Sequence, residues 1–90
     1  MYKEVISEQE WIELRQCLGL SRLQTDILRR VLRGKLRHEI ARELGISPRM
    51  VRTQTDHLYR KFDVSTKVEL TVRVLTALRE SWEEGESLHV

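Results

Sequence analysis

The chain has a single cysteine, no long apolar run and no leader-like start, and each absence excludes a class of protein. Cys17 has no second cysteine with which to pair, so an internal disulfide framework is excluded. No stretch approaches the roughly 20 apolar residues that a membrane-spanning helix needs. The first residues do not form the basic-then-apolar pattern of a signal peptide. We therefore expect a cytoplasmic protein in a reducing environment, without a membrane partner.

Residues that carry catalytic chemistry are equally sparse. The three histidines, His38, His57 and His89, lack the spacing of metal ligands, and no Ser or Cys nucleophile stands in a recognisable setting. Cys17 lies in an apolar helical segment, which favours a packed structural thiol over a reactive one. There is also no glycine-rich phosphate loop. We expect neither enzymatic activity nor a cofactor, a metal or a small-molecule substrate.

The charges that are present are unevenly distributed along the chain. The net charge of +2 divides into −2 for residues 1–20, +7 for residues 21–73 and −3 for residues 74–90. A basic excess on a short segment suggests a polyanionic partner, because release of counterions from DNA would supply affinity that does not depend on sequence. A solvated charged surface is the alternative interpretation.

Apolar periodicity and capping signals predict an all-α fold of five helices, because no strand-like alternation or internal repeat is present. The predicted helices span Ser7 to Gly19, Ser21 to Arg33, Leu36 to Leu44, Pro48 to Phe62 and Thr66 to Trp82. The first two begin with capping boxes, Ser7 with Glu10 and Ser21 with Gln24. From its ninety residues we expect one small helical bundle without a second sensor domain.

Residues 36–62 carry the most specific local pattern, two amphipathic helices joined by a tight turn. Gly45 can take the left-handed conformation that ends the first of them, and Ser47 can cap the second. Pro48 suits the first position of that second helix. Its apolar stripe contains Val51, Thr55, Leu58 and Phe62. This arrangement predicts a helix-turn-helix.

The side of the second helix that faces away from its apolar stripe is polar and mostly basic. Six side chains project from this side or its flanks: Arg49, Arg52, Thr53, Asp56, His57 and Arg60. Helix-turn-helix proteins present such a face to the bases of double-stranded DNA. We take these six residues as the candidate surface for a duplex.

The last predicted helix is apolar over a wide arc. Val68, Val72 and Leu75 form one ridge, and the arc extends over Leu70, Val74, Ala77 and Leu78. A domain of this size cannot easily cover so much apolar surface, which suggests contact with a second copy of the chain. The alternative is that the N-terminal helix folds back over this arc. Either Ser65 or Thr66 can cap the helix, and residues 83–90 are expected to fray.

The region from residue 20 to residue 70 resembles the LuxR/GerE-type DNA-binding domain. The resemblance is carried by the opening LSRLQTDIL, Gly34, His38-Glu39-Ile40-Ala41, Leu44-Gly45-Ile46-Ser47, Val51-Arg52, Leu58-Tyr59-Arg60-Lys61-Phe62, Val64, Ser65 and Leu70. It implies a four-helix module over residues 20–79, with one extra N-terminal helix in residues 1–19 and an acidic tail in residues 80–90. Family members place the recognition helix, here residues 48–62, in the major groove. They usually dimerise through the last helix, which suggests Leu70, Val74, Ala77 and Leu78 as contact residues.

Several site residues follow from the resemblance by position. Arg52 occupies the place of the usual lysine of the recognition helix, where it could bond a guanine edge or a phosphate. Thr53 and Asp56 lie where other groove-facing side chains are found. Asp56 could accept a hydrogen bond from a cytosine amine or orient Arg52 or Arg60. Lys61 matches a basic residue that resembles a phosphate contact.

Other positions depart from the family pattern. Leu36 stands where Ser or Thr normally caps the third helix. Arg37 and His38 replace a common Asn-Lys pair, which adds Arg37 to the candidate DNA contacts. Met50 replaces the usual Thr and Gln54 the usual His, so the fold remains credible while the target sequence is not predictable.

The resemblance implies a bacterial, nucleoid-associated transcriptional regulator that binds DNA as a homodimer. Because only a short helix precedes the module, we expect a stand-alone regulator. Its activity would depend on its concentration, on its dimerisation or on a partner protein bound through the N-terminal helix, which carries Trp11, or through the acidic tail. A helix-turn-helix fold that docks on another regulator or on RNA polymerase is the alternative. Such a module has little need for Arg49, Arg52 and Arg60 on one side. A fragment resembling region four of a sigma factor is less favoured, because it would not supply the apolar last helix.

Overall fold

The computed structural model describes residues 6–87, with side chains described up to residue 80, and this part contains five helices and no strand. The helices are α1 (Glu8–Leu18), α2 (Arg22–Leu32), α3 (Arg37–Leu44), α4 (Pro48–Phe62) and α5 (Lys67–Ser87). The predicted all-α class and the five-helix order are confirmed. No helix among the described residues is both long enough and apolar enough to cross a membrane.

Reciprocal side-chain caps begin α1 and α2 as the sequence predicts. The hydroxyl of Ser7 accepts from the Glu10 backbone N–H at 3.1 Å, and the Glu10 carboxylate accepts from the Ser7 N–H at 2.9 Å. Ser21 and Gln24 form the same pair of bonds, at 3.0 Å and 3.1 Å. Each pair satisfies backbone donors that a helix start otherwise leaves free, which explains why both helices begin at the predicted residues.

The two ends of α5 differ in how well the sequence predicts them. Thr66 is the residue that caps the helix, since its hydroxyl accepts from the Glu69 N–H at 3.1 Å. The predicted end near Trp82 is wrong, because the helix continues to Ser87. Four of the five added residues are glutamate or serine and none is proline, so the local sequence does not force the helix to stop. Residues 88–90 lie outside the described part.

Helix α1 packs against α2 and α5 and contributes to the same core as the other helices. Trp11 is 2% exposed and Leu14 is 1% exposed. On α5, Leu70 and Val74 are fully buried in this core, and Ala77 and Leu78 are partly buried against it. Leu70 and Val74 are therefore interior residues of the single chain rather than surface offered to a second copy. This arrangement agrees with the alternative expectation that the N-terminal helix covers this part of α5.

One consequence of α1 packing is that Cys17 is exposed, so the expectation of a packed thiol is wrong. The buried stripe of α1 runs through Trp11 and Leu14 and continues to the partly buried Leu18. At about 100° per residue, Cys17 points roughly 90° away from the middle of this stripe. The apolar residues near Cys17 in the sequence therefore lie on the buried face of α1, whereas Cys17 itself does not.

The predicted helix-turn-helix is present in α3 and α4, which pack against each other. Gly45 ends α3 in the left-handed conformation with φ of 66°, where a side chain would be strained. Ser47 caps α4, because its hydroxyl accepts from the Met50 N–H at 3.0 Å. Val51 and Leu58, at 2% and 0% exposure, fasten α4 to the core. The opposite side of α4 is thereby directed outwards.

The start of α3 lacks the side-chain cap of the other helices. Leu36 has no oxygen to offer, and only the Glu39 carboxylate contributes, accepting from the Leu36 N–H at 2.8 Å. We expect Leu36→Ser to supply the missing acceptor and to be about 1 kcal/mol more stable than Leu36→Ala. Urea denaturation of the two variants measures this difference, since they differ by one oxygen. Equal stabilities would show that the cap position does not limit this helix.

Candidate nucleic-acid interface

The outward side of α4 brings together all six side chains that the sequence assigned to it. Each of Arg49, Arg52, Thr53, Asp56, His57 and Arg60 is exposed. They are held in a fixed relation because the buried stripe of α4 anchors the helix along its whole length. The helix is 15 residues long, so this side of it extends over about 22 Å at about 1.5 Å per residue.

The cations on this side of α4 are not neutralised by any side chain that the structure describes. Within the described residues, Arg49, Arg52 and Arg60 form no ion pair. Asp56 also has no ionic partner in this part of the chain, so the expected orientation of Arg52 or Arg60 by Asp56 is not observed. The hydroxyl of Thr53 donates to the Arg49 carbonyl at 3.0 Å and keeps its lone pairs for another donor. Within residues 6–80, the face thus presents guanidinium groups without ionic partners beside the acceptor oxygens of Thr53 and Asp56.

Lys61 lies on one flank of this face and also contacts the rest of the fold. Its ammonium donates to the Gly19 carbonyl, with 3.3 Å between nitrogen and oxygen. This bond joins the end of α4 to the connection between α1 and α2. Lys61 remains exposed, and an ammonium has three N–H donors, so a phosphate can still be bonded.

A groove of about 370 Å³ lies along the other flank of α4, between the starts of α3 and α5. Its cations are Lys35, Arg37, Arg52 and Lys67. The predicted site residues Arg37 and Arg52 therefore lie together at this groove. The sequence did not predict Lys35 and Lys67 as members of this site. They are far apart in the sequence and belong to different segments, so no local periodicity relates them to α4.

The Glu43 carboxylate forms ion pairs with two cations, one of which, Lys35, lines this groove. Glu43 accepts from the Lys35 ammonium at 3.1 Å and from the Arg30 guanidinium at 3.0 Å. These bonds, first from Lys35 and then from Arg30, hold the pKa of the Glu43 carboxyl below its ordinary value. Glu43 thus fastens α3 to the end of α2 and keeps Lys35 in place.

The lowered pKa of Glu43 predicts a pH-dependent contribution to stability. Because the folded pKa lies below the unfolded one, this contribution is complete above the unfolded pKa and is lost as the pH falls through the folded pKa. We expect Glu43→Gln to be less stable than the wild type at neutral pH, with a difference that disappears in acid. Urea denaturation across this pH range tests it. Glu13→Gln is the control, since Glu13 has no cationic partner among the described residues.

The described residues contain no group of three or more His, Cys, Asp or Glu side chains that could hold a metal ion. His38 and His57 are both exposed on the surface. His89 lies outside the described part of the chain. The cationic side chains of the α4 face and the adjoining groove are suited to binding an anion.

Comparison with known protein families agrees with this geometry. The family described as GerE, bacterial regulatory proteins of the luxR family, matches residues 18–74, which is more than half of the chain. The match begins at the last residue of α1 and includes the whole helix-turn-helix, confirming the resemblance seen in the sequence. No curated protein and no solved structure gives a match. The matched domain is a DNA-binding regulatory module rather than an enzyme family. The chain belongs to the luxR family of bacterial regulatory proteins.

Proposed function

We propose that this protein is a sequence-specific transcription regulator that inserts α4 into the major groove of double-stranded DNA. The observation that carries the proposal is the outward face of α4, where Arg49, Arg52 and Arg60 have no ionic partner among the described residues. An α-helix fits the major groove, and arginine pairs there with guanine edges or phosphates. The family membership supports DNA binding in general, and the helix face supplies the particular contacts.

The middle of the α4 face is proposed to read bases. Arg49, Thr53, Asp56 and Arg60 point into the same half of the helix surface, and His57 lies beside them. Asp56 is the one acidic side chain there and suits the amine of a cytosine, since an acid opposite phosphate would be repelled. Arg52 lies at one edge of this half.

The flanks of the face are proposed to contact phosphates. Arg52 and Lys61 are nine residues apart, which places them about 180° apart around the helix at about 100° per residue. Such a pair can reach the two strands that border the major groove. Arg37 at the start of α3 lies on the same flank as Arg52, because both line the groove beside α4. These contacts would position the protein without selecting a sequence.

The test is a fluorescence anisotropy titration of a random-sequence duplex with the full chain at several salt concentrations. We expect log Kd to rise linearly with log salt concentration, by about 0.9 for each phosphate neutralised. A folded protein that does not bind the duplex at low salt contradicts the proposal. That result favours a helix-turn-helix module that docks on another regulator or on RNA polymerase. Nucleoid association in the cytoplasm is part of the same proposal.

We further propose that the protein forms a homodimer through the exposed ridge of α5. Val68, Val72 and Leu75 are 74%, 56% and 43% exposed. Their spacing of four and three residues puts them on one face of the helix. This ridge lies beside Leu70 and Val74, which are buried within the single chain. We therefore propose the ridge, in place of Leu70 and Val74, as the centre of the dimer interface. A two-fold dimer would present two α4 helices to two half-sites.

Val72→Glu is expected to convert the dimer to a monomer, because it places like charges opposite each other across the two-fold axis. The variant should keep its fold, since Val72 is exposed in the single chain. Sedimentation equilibrium measures the change in association. Ile12→Glu is the matched control, because Ile12 is an exposed apolar residue on α1 at 49%. A monomeric wild type, or equal effects of both variants, contradicts the proposed interface.

A regulatory partner protein would have to use other residues than Trp11, which is buried in the core. The exposed part of α1 around Ile12, or the acidic end of the chain, remains the proposed attachment point. Residues 1–19 would then act as an extension of the DNA-binding domain in residues 20–79, and residues 80–90 as its acidic tail.

A further inference from the structure

The groove beside α4 collects cations from four separate parts of the chain. Lys35 belongs to the connection between α2 and α3, and Arg37 is the first residue of α3. Arg52 comes from α4, and Lys67 is the first residue of α5. The one acidic side chain among the described lining residues is Asp56. A fold that converges four cations on one groove around a single acid creates a local positive potential.

Three of these four cations have no charge partner among the side chains described for residues 6–80. Lys35 is paired with Glu43 at 3.1 Å. Arg37, Arg52 and Lys67 form neither an ion pair nor a hydrogen bond from their side chains among the residues that the structure describes. All three are exposed, so they can reach an anion from solvent. The groove is therefore charged for an anionic ligand rather than filled by an internal salt-bridge network.

The position of the groove relates it to the proposed duplex. It shares Arg52 and Asp56 with the outward half of α4, and it therefore adjoins the side that would face DNA. An α-helix with its side chains is about 10–12 Å wide, and the major groove is about 12 Å wide, so the phosphates of each strand pass close to a flank of an inserted helix. The strand on the Arg52 flank would pass the mouth of this groove.

We propose that the groove holds phosphates of one DNA strand, with Lys67 and Arg37 as its contacts from outside α4. This inference rests on the proposed DNA binding and assigns Lys67, the first residue of the last helix, to the DNA interface. The strand is bonded by the starts of α3 and α5 together, while Lys61 serves the opposite strand. The contacts fix the orientation of α4 in the major groove and carry no base preference.

The experiment measures duplex affinity against salt for Lys67→Gln, for Arg37→Gln and for the double variant, in the full chain. Each single variant should reduce the salt slope by about 0.9 and the double variant by about 1.8. The matched control is Arg42→Gln, which removes one exposed charge on α3 that does not line the groove. The control should leave the slope within about 0.3 of the wild type, by the same relation. Circular dichroism melts verify that each variant is folded.

The outcomes separate this proposal from the function on which it rests. If the wild type binds DNA and the folded groove variants have the same salt slope as the wild type, only the proposed strand contact is overturned. The same conclusion follows if Arg42→Gln decreases the salt slope as much as the groove variants do. Absence of wild-type binding to any duplex overturns both. A parallel titration with inorganic pyrophosphate at constant ionic strength tests for a free anion. The strand contact is overturned if pyrophosphate raises the melting temperature only when Arg37 and Lys67 are present, while the salt slope of duplex binding is unchanged in the variants. This result would assign the groove to a small phosphate ligand.

Discussion

Replacing Arg49, Arg52 and Arg60 together by alanine should abolish detectable binding to a random-sequence duplex at moderate salt. The three guanidinium groups have no ionic partner in the described part of the chain, so their charge is available to phosphates and bases. If each neutralises one phosphate, the salt slope falls by about 2.7. Loss of affinity therefore combines fewer released counterions with the removal of direct hydrogen bonds. Anisotropy titrations across salt concentrations measure both effects.

The matched control removes three exposed arginines that belong to other helices than α4. Arg15, Arg22 and Arg42 are exposed on α1, α2 and α3, and their replacement by alanine changes the net charge by the same amount. We expect this control to weaken binding only slightly through the general field of the protein. An equal loss in the two triple variants would mean that net charge, and not the α4 face, determines binding.

A single substitution distinguishes base reading from phosphate binding within the same face. On a site selected from a random library, Arg49→Ala should cost about 1–3 kcal/mol and relax preference at one base pair, because Arg49 lies in the middle of the face that is proposed to read bases. Lys61→Ala is the contrasting variant and should weaken binding to all sequences alike. A changed sequence preference with an intact salt slope for Lys61→Ala would contradict its assignment to phosphate.

Trp11→Ala should produce the largest loss of stability among single substitutions outside α4, about 3–5 kcal/mol. The indole is 2% exposed in the core that α1 shares with α2 and α5. The Arg29 guanidinium also lies over its ring, 5.3 Å from the centroid. Truncation would leave a large cavity and remove this cation–π contact. Urea denaturation followed by circular dichroism gives the free energy of unfolding.

The neighbouring residue provides the control for this substitution. Ile12 lies on the exposed side of α1 at 49%, and Ile12→Ala should change the free energy of unfolding by about 0.5 kcal/mol or less. A change below about 1 kcal/mol for Trp11→Ala would mean that α1 is not an integral part of the core in solution. Deleting residues 1–17 extends the test, because an unchanged stability, association and DNA affinity would leave α1 without a role.

The parts of the fold that local rules control were predictable from the sequence. Capping boxes at Ser7 and Ser21 placed two helix starts, and the turn from Gly45 to Ser47 placed the helix-turn-helix. The two sides of α4 also followed from periodicity alone. In each case the residues that determine the structure lie within about four positions of one another in the sequence. At this spacing in a helix, their relative positions in space follow directly from the sequence.

The parts that depend on contacts between distant segments were not predictable in the same way. Periodicity makes both Leu70 and Val72 apolar positions of α5, and the packing of α1 and α4 against this helix decides that Leu70 is buried and Val72 exposed. The cationic groove was missed for the same reason. Lys35 lies just before α3 and Lys67 begins α5, so the two lysines are 32 residues apart in the sequence. They line the same groove beside α4 only in the folded chain.

The contact between α1 and α5 has a consequence for how the protein acquires its structure during synthesis. The first and last helices complete one core, so the N-terminal helix emerges from the ribosome well before its partner exists. A nascent chain that ends before Leu70 lacks Leu70 and Val74, which belong to the same core as Trp11 and Leu14. Closing a loop of this length is a late and entropically costly step. Stable folding therefore follows translation of α5, and a truncated chain is exposed to aggregation and proteolysis until then.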